Sequence, residues 1–222
     1  MPRPKLVIGN RCYSSWSLRP WLALRVAGVD FEVERVALYR PESAERLRRL
    51  SPTGFVPVLI EGDVATWESL AICERAAELA PGAGLWPDDP VRRTVARSVA
   101  TEMHGGFAAI RQFLPMNLRG RARRAPSLPD EVRTQVDRVV ETWTSCRSRA
   151  SGGPFLFGRF GIADAMWAPV ATRFHTYRVE LPPVARDWCE AVLALPAMRE
   201  WTEAALAETE RMPETDALLD RA

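Results

Sequence analysis

The sequence predicts an α/β part followed by an all-helical part. Strand-like and helical segments alternate over residues 1–80, and strand signals vanish beyond residue 90. Between them lies PGAGLWPDDP, residues 81–90, whose three prolines and two glycines break all periodicity. A length of 222 residues suits one large domain or two small ones. We therefore expect domains at 1–80 and 91–222, joined by a linker at 81–90.

The first part reads as β-α-β followed by β-β-α. Strands are predicted where short apolar or alternating runs are bounded by turn residues, at 5–9, 31–38, 56–60 and 64–67. Helices are predicted where apolar residues recur at helical spacing, at 17–27, 41–50 and 70–79. The second part reads as helices from Val91 to Leu206, separated by breaks rich in proline.

Composition and charge exclude several classes of protein. Hydrophobic residues make up 47% and charged residues 26%, which excludes a disordered or fibrous chain. Thirty Lys and Arg oppose 28 Asp and Glu, so the net charge of +2 gives no reason to expect nucleic acid or a membrane surface as partner. No leader segment or membrane-spanning run is evident, so we expect a cytoplasmic protein. The cysteines show no C-x-x-C or metal-ligand spacing, so neither a metal site nor a thioredoxin-type redox centre is expected; they are Cys12, Cys73, Cys146 and Cys189.

The first motif with chemical meaning is SSWSLRP, Ser14–Pro20, between the first strand and the first helix. Three serines, with Pro20 in the first turn, are typical of a helix N-terminus, and capping alone would account for them. The same geometry also suits an anion, because free N–H groups and the helix dipole stabilise negative charge there. A serine hydroxyl would add one more donor.

Two further motifs follow. Val56–Pro57 opens the third strand and is compatible with a cis peptide bond, although trans is the commoner state. Glu68–Ser69 begins the third helix and could serve simply as its cap. Each motif alone is weak, and their specificity comes from the order of all three.

In that order, the motifs resemble the glutathione transferase family, and the resemblance covers almost the whole chain. It is closest to serine-type members of the zeta class and their bacterial relatives. The resemblance implies a thioredoxin-like N-terminal domain that binds glutathione, and an all-helical C-terminal domain that forms the electrophile pocket. It also implies a homodimer and, as function, conjugation of small electrophiles in detoxification. Phe160–Asp164 is similar to the family's buried capping box, with Gly161 in place of Ser or Thr.

The resemblance assigns roles to residues. Ser14, with Ser15 as the alternative, would contact the glutathione thiol, Val56–Pro57 would be the cis-proline motif, and Glu68–Ser69 would bind the γ-glutamyl end. A thiol pKa near 8.5 leaves only a few per cent thiolate at pH 7. Lowering it by about two units takes roughly 2.7 kcal/mol, and a hydroxyl donor worth about 1.5–3 kcal/mol could supply most of that.

Two departures from the family pattern bear on function. Trp16 stands where zeta and beta members carry cysteine, so disulfide chemistry through that residue is lost and conjugation is favoured over zeta-like isomerisation. Phe55 stands where many serine-type relatives carry a lysine that pairs with the glycine carboxylate. Arg40 is the nearest replacement cation in a loop, and the alternative is a solvated glycine end.

The second domain offers candidate pocket residues on its first helix. The positions of His104, Phe107, Ala108 and Arg111 are i, i+3, i+4 and i+7, which predicts one shared helix face. That face either packs into the domain interface or, through His104 and Arg111, forms a polar wall that tolerates anions. With Trp16, these residues are the expected substrate pocket. A non-catalytic binding or adaptor protein is the rival to an enzyme.

Overall fold

The computed structural model describes residues 3–150 and 152–219. A four-stranded mixed sheet of order β2-β1-β3-β4 lies at the N-terminal end, and among these residues helices and their connecting loops follow it, with no further strand. Strand β1 is parallel to β2 and antiparallel to β3, which in turn is antiparallel to β4. The predicted fold class, a thioredoxin-like domain followed by helices, is confirmed. The extreme ends of the expected domains, residues 1–2 and 220–222, lie outside the described residues.

The elements agree with the predicted ones to within a few residues. The strands are β1 Lys5–Ile8, β2 Glu32–Arg35, β3 Val58–Glu61 and β4 Val64–Trp67. The helices of the first part are α1 Ser15–Val26, α2 Pro41–Leu50 and α3 Ser69–Leu79. Those that follow are α4 Pro90–Gly105, α5 Ala108–Phe113, α6 Asp130–Ser148, α7 Ile162–Thr176, α8 Pro183–Leu193, α9 Pro196–Ala207 and α10 Pro213–Asp216.

Helix α1 is the most deeply placed element of the first part. Nine of its twelve residues are buried, because it packs against α3 within its own domain and against α7 of the helical part. One continuous apolar core therefore runs from Leu6 and Leu59 in the sheet through Leu22 to Trp167 and Trp188 in α7 and α8. The two parts share this core, and the first part has a second, smaller apolar cluster formed by Val7, Val36, Leu47 and Val58.

The prediction of a single helix across residues 104–111 is wrong, because α4 ends at Gly105 and α5 begins at Ala108. Gly106 is extended, and a Cβ at this position would lie 2.7 Å from the backbone oxygen of Glu102. Phe107 then takes a left-handed backbone, with φ of 62°. Glycine has the lowest helix propensity after proline, and here the close approach admits no side chain. His104 and Arg111 consequently lie on two different helices.

Helix α7 begins at a buried cap in which Asp164 is the central residue. Its carboxylate accepts hydrogen bonds from the Gly161 amide at 3.0 Å, the Leu156 amide at 2.9 Å and Nε1 of Trp188 at 2.8 Å. Burial raises the pKa of Asp164 to about 6, so the group is still mostly ionised at pH 7. A Cβ at Gly161 would lie 2.6 Å from the carbonyl oxygen of Leu85 in the linker. Ser or Thr at this position would therefore clash with the linker, and glycine does not.

We predict that Asp164→Ala lowers the free energy of unfolding by at least about 3 kcal/mol. The substitution removes one acceptor from three buried N–H donors, and each unsatisfied donor costs about 1–3 kcal/mol. Urea denaturation followed by tryptophan fluorescence measures the change.

The matched control is Asp187→Ala on α8. The Asp187 side chain is 71% exposed, and its Oδ1 makes only a weak ion pair with Nε of Arg186, at 3.9 Å. This control should change stability by no more than about 0.5 kcal/mol. Equal stabilities of the two variants would show that the cap contributes nothing.

Candidate functional site

A cleft of about 230 Å³ lies where α1, β3 and α3 begin. Five predicted site residues meet in its wall, namely Trp16, Val56, Pro57, Glu68 and Ser69. Thr53 and Phe55 complete the lining. Residues from three separate segments of the chain thus converge on one small volume.

The Val56–Pro57 bond and the start of α3 form one side of the cleft. The bond is cis, as the resemblance implies, and β3 begins at the next residue. Glu68, directly before α3, has a left-handed backbone with φ of 68°, a conformation that costs a non-glycine residue about 1–3 kcal/mol. Its side chain is 60% exposed beside the cleft.

Ser69 is the first residue of α3 and has no exposed surface. Its Oγ is buried and has no hydrogen-bond partner among the described residues. A buried hydroxyl at a helix N-terminus that lines a cleft suits a carboxylate, because hydroxyl, amides and helix dipole all favour negative charge. Ser69 and Glu68 together therefore fit a group that carries both an ammonium and a carboxylate.

Ser14 lies directly before α1 and is 7% exposed. Its Oγ is 2.8 Å from Oγ of Ser17, which in turn accepts the Gly9 amide at 3.1 Å. Ser17 can therefore donate its own proton to Ser14, which would leave the Ser14 proton free for another acceptor. Ser14 is adjacent in sequence to the cleft-lining turn but is not one of the residues that line the cleft.

The neighbouring Ser15 has a different environment. Its Oγ accepts a hydrogen bond of 3.1 Å from Nη2 of Arg173 on α7, and it is 5% exposed. Its hydroxyl is therefore engaged by the helical domain. The Ser14 hydroxyl, by contrast, bonds only to the Ser17 hydroxyl and has no charged partner among the described residues.

Trp16, which lines the cleft, also contacts a group of basic side chains. The guanidinium carbon of Arg19 is 4.2 Å from the Trp16 ring centroid, and that of Arg111 is 5.6 Å from it. The His104 ring packs edge-on at 5.4 Å. Although α4 and α5 are separate helices, His104 and Arg111 still meet at this one indole.

Arg19, Arg111 and Arg173 form a group that we call the arginine cluster. Arg19 has no exposed surface, and none of its three guanidinium nitrogens has a hydrogen-bond partner among the described residues. Burial, with the nearby charges of Arg173 and Arg111, lowers the pKa of Arg19 to about 9, and burial with Arg111 lowers that of Arg173 to about 10. Both stay charged at pH 7. No salt bridge joins the cluster to a carboxylate within the part of the chain that is described.

His104 connects the cluster to the glutamate of the cleft. Its Nε2 is 3.5 Å from Oε2 of Glu68, and its buried Nδ1 has no hydrogen-bond partner among the described residues. Burial, followed by the charge of Arg19, lowers the pKa of His104, which favours the neutral ring at pH 7. The cluster's positive charge therefore comes from its arginines.

Other candidate residues lie away from the cleft. Phe107 is 7% exposed and packs on Trp167 at 5.0 Å between ring centroids, inside the helical core. Arg40 is exposed at the residue before α2. Cys12 is buried and its thiol pKa is raised by desolvation, so it is a poor nucleophile.

Sequence reasoning missed two of the three arginines. Arg19 lies inside the SSWSLRP motif, three residues after Trp16, and the available signal was a cation between apolar residues of a predicted helix. Arg173 carries no local signal, because only the packing of α7 on α1 brings it to Ser15.

Within residues 3–150 and 152–219, no helix has both the length and the apolar character needed to cross a bilayer. The same residues hold no group of three or more His, Cys, Asp or Glu side chains arranged to bind a metal ion.

Sequence relatives include two isomerases. The chain is 33% identical over 119 residues to a probable maleylacetoacetate isomerase of Caenorhabditis elegans, covering 53% of this chain and 55% of that protein. It is 24% identical to maleylacetoacetate isomerase of Rattus norvegicus, covering 82% of each chain. The chain thus spans about half of the first relative and most of the second.

Solved structures share the fold at low sequence identity. A glutathione transferase homolog from Burkholderia GL BGR1 with bound glutathione aligns with a TM-score of 0.71 at 20% identity, covering 93% of this chain and 100% of that one. A maleyl pyruvate isomerase, a bacterial member of the zeta class, aligns with a TM-score of 0.69 at 22% identity and the same coverage.

Two family models match the chain. Residues 13–79 match the N-terminal domain of glutathione S-transferase, and residues 117–204 match its C-terminal domain. The first match contains the cleft, and the second contains α7 with Arg173. The chain therefore belongs to the glutathione S-transferase family, whose members are enzymes with glutathione as co-substrate.

Proposed function

We propose that this protein is a glutathione transferase in which Ser14 assists ionisation of the glutathione thiol for attack on a small electrophile that carries a carboxylate. The observation that carries the proposal is the arginine cluster beside Trp16, a residue that lines the cleft. Arg19 and Arg173 are buried, Arg111 is partly buried, and none of the three has a carboxylate partner among the described residues.

The γ-glutamyl end of glutathione fits the start of α3. The Glu68 carboxylate would pair with its ammonium, and Ser69 with the α3 N-terminus would receive its carboxylate. This supports Glu68, Ser69 and the cis Val56–Pro57 turn as the binding residues.

The glycine end has a less defined partner. Phe55 lines the cleft and is 74% exposed, and a phenyl ring cannot pair with a carboxylate. We retain Arg40, exposed at the start of α2, as the candidate cation for that group.

Thiol activation would take place at the start of α1. A hydrogen bond from Ser14 to the sulfur stabilises the thiolate over the thiol, and the positive end of a mostly buried helix adds to the effect. Ser17 supports this role because it can donate to Ser14 while it accepts the Gly9 amide.

The electrophile would lie on the arginine side of Trp16. An anion placed there gains charge-assisted hydrogen bonds from guanidinium groups that are already desolvated. Conjugation is the reaction we favour. Isomerisation of a maleyl acid is the second candidate, favoured by the names of the relatives and by the same arginine cluster.

A homodimer is proposed as the assembly. Exposed apolar side chains lie on edge strand β4, where Val64 is 62% and Trp67 is 44% exposed, and on α4, where Val91 is 71% exposed. Exposed apolar residues of this size support a surface that a second copy covers.

We predict that Ser14→Ala lowers kcat ten-fold or more and leaves the KM for glutathione within two-fold. The lost donor acts on the thiolate and not on the tripeptide's other anchors, and a factor of ten corresponds to about 1.4 kcal/mol. Steady-state kinetics measure both constants. Absorbance of the bound thiolate against pH should show its pKa rising towards that of free glutathione.

The control is Ser98→Ala, which removes a hydroxyl bonded to the Thr94 carbonyl on the exposed side of α4. It should leave both constants unchanged. Full activity in Ser14→Ala would assign the role to another residue, with Ser15 tested next.

We predict that electrophiles bearing a carboxylate are used with at least a ten-fold higher kcat/KM than their neutral esters. Arg19→Met, which keeps an unbranched chain against Trp16, should remove most of that preference. Glutathione-dependent turnover of maleate and its dimethyl ester measures it. Glutathione is consumed in conjugation and stays constant in isomerisation, so the same assay separates the two reactions.

Arg97→Met is the matched control, because Arg97 also lies over an indole, Trp86 at 5.5 Å, but is outside the cluster. It should keep the carboxylate preference. Equal use of acid and ester by the unaltered protein would rule out an anion-binding pocket.

We also predict that sedimentation equilibrium at micromolar concentration gives a mass of two 24.9 kDa chains. The exposed apolar residues of β4 and α4 supply the interface, so Trp67→Glu should shift the mass towards one chain. A single-chain mass for the unaltered protein would contradict the dimer.

A further inference from the structure

The loop that leads into Ser14 is held by residues near the end of the chain. The Arg11 amide donates to both carboxylate oxygens of Glu208, at 3.1 and 3.0 Å, and Nη1 of Arg11 donates to the same group at 3.3 Å. The Tyr13 hydroxyl donates to Oδ1 of Asp216 at 2.9 Å. These partners are separated from the loop by about 200 positions of sequence.

Three more polar groups of this loop also bond to residues of the helical part. Nε1 of Trp201 donates to the Arg11 carbonyl at 3.1 Å, and the Leu118 amide donates to the Cys12 carbonyl at 3.3 Å. The Met212 amide donates to the Tyr13 hydroxyl oxygen at 3.3 Å. Residues 11–13 therefore bond to groups of the helical part at every position.

The two carboxylates are themselves held in place. The Glu208 side chain is 5% exposed and lies 3.7 Å from Nε of Arg35, while Arg119 donates to the Glu208 carbonyl. Oδ1 of Asp216 also accepts from Nδ2 of Asn117 at 2.8 Å. Glu208 is buried, and the Asp216 side chain is 27% exposed. Both carboxylates accept hydrogen bonds from more than one donor, so they fix a position more firmly than exposed ion pairs do.

We propose that Glu208 and Asp216 are positioning residues that set the place of the Ser14 hydroxyl at the start of α1. The proposal rests on the proposed role of Ser14. The backbone of Ser14 bonds to Asn10 through its amide at 2.8 Å and to Leu18 through its carbonyl at 3.2 Å. Its orientation therefore depends on the path of residues 11–13, and those residues depend on Glu208 and Asp216. An offset of about 1 Å at a catalytic group is enough to reduce rates about a hundred-fold.

A purely structural role makes a different prediction. If these contacts only stabilised the fold, their loss would lower the melting temperature and leave the thiol pKa of bound glutathione unchanged in the folded protein. If they position Ser14, that pKa rises even where the protein is fully folded. The pKa of the bound thiol is therefore the deciding measurement.

The experiment compares Tyr13→Phe, Glu208→Gln and Glu208→Ala with Ser14→Ala, using the full chain with glutathione as the probe. Tyr13→Phe keeps the ring and removes the contact with Asp216, and Glu208→Gln keeps one acceptor for the Arg11 amide. For Tyr13→Phe and Glu208→Ala we expect a three- to ten-fold fall in kcat, a KM for glutathione within two-fold, and a raised thiol pKa. Glu208→Gln should recover part of the loss.

The control is Glu200→Ala, which removes the hydrogen bond of 2.8 Å from Nε of Arg25 on α1 to Glu200 on α9 but does not touch the loop. It should leave kcat and the thiol pKa unchanged. In the double variant Ser14→Ala/Glu208→Ala, the second substitution should add no further change in thiol pKa, because both act through one hydroxyl.

The outcomes separate the two proposals. An unchanged thiol pKa in both Tyr13→Phe and Glu208→Ala, with a raised one in Ser14→Ala, overturns this inference and leaves the proposed function intact. An unchanged thiol pKa in Ser14→Ala overturns the role of Ser14 and this inference with it. Should Glu208→Ala fail to fold, Tyr13→Phe still decides the question.

Discussion

The burial of helix α1 is the constraint on which the rest of the structure depends. It packs against α3 of the first part and against α7 and α9 of the helical part, so nine of its twelve residues are out of solvent. A helix end surrounded by protein keeps more of its dipole field than one that faces water, because less of the field is screened. Both family domains are needed to enclose this helix, because α3 lies in the first match and α7 in the second.

The same burial accounts for the charge behind the cleft. A guanidinium such as that of Arg19 loses its hydration when α7 packs on α1, and the indole of Trp16 replaces only part of it. The common apolar core supplies the stability that allows such a group to remain. Trp16 lines the cleft and also contacts Arg19 and Arg111, so the positive charge lies next to the cleft.

Contacts between residues far apart in sequence hold both the turn at Gly161 and the loop before Ser14. The carbonyl of Leu85 in the linker lies against Gly161 and accepts the Ile162 amide at 2.9 Å. Glu208 binds the loop before Ser14 in a similar manner. In both places a buried backbone amide is satisfied by a distant acceptor, since a loop without regular structure has no local partner to offer. The site's geometry is therefore coupled to the stability of the helical part.

The sequence by itself determined the elements and much of the cleft. Alternating and helical periodicity located the four strands and the helices α1 to α3, and α2 matched residue for residue. The Val56–Pro57 and Glu68–Ser69 motifs are found in the cleft wall, because capping residues and strand-opening prolines act on their immediate neighbours. Such signals are local, and one chain displays them directly.

Only the tertiary structure decided how the remaining groups meet. In the structure, α4 ends at the glycine pair, and Phe107 packs into the helical core. Ser15 accepts a hydrogen bond from Arg173, and the Arg19 guanidinium has no hydrogen-bond partner among the described residues. The tertiary structure also joined the Ser14 loop to Glu208 and Asp216. The physical reason is that burial and charge pairing depend on which residues approach each other across 100 or more positions, and neither propensity nor spacing along the chain encodes that approach.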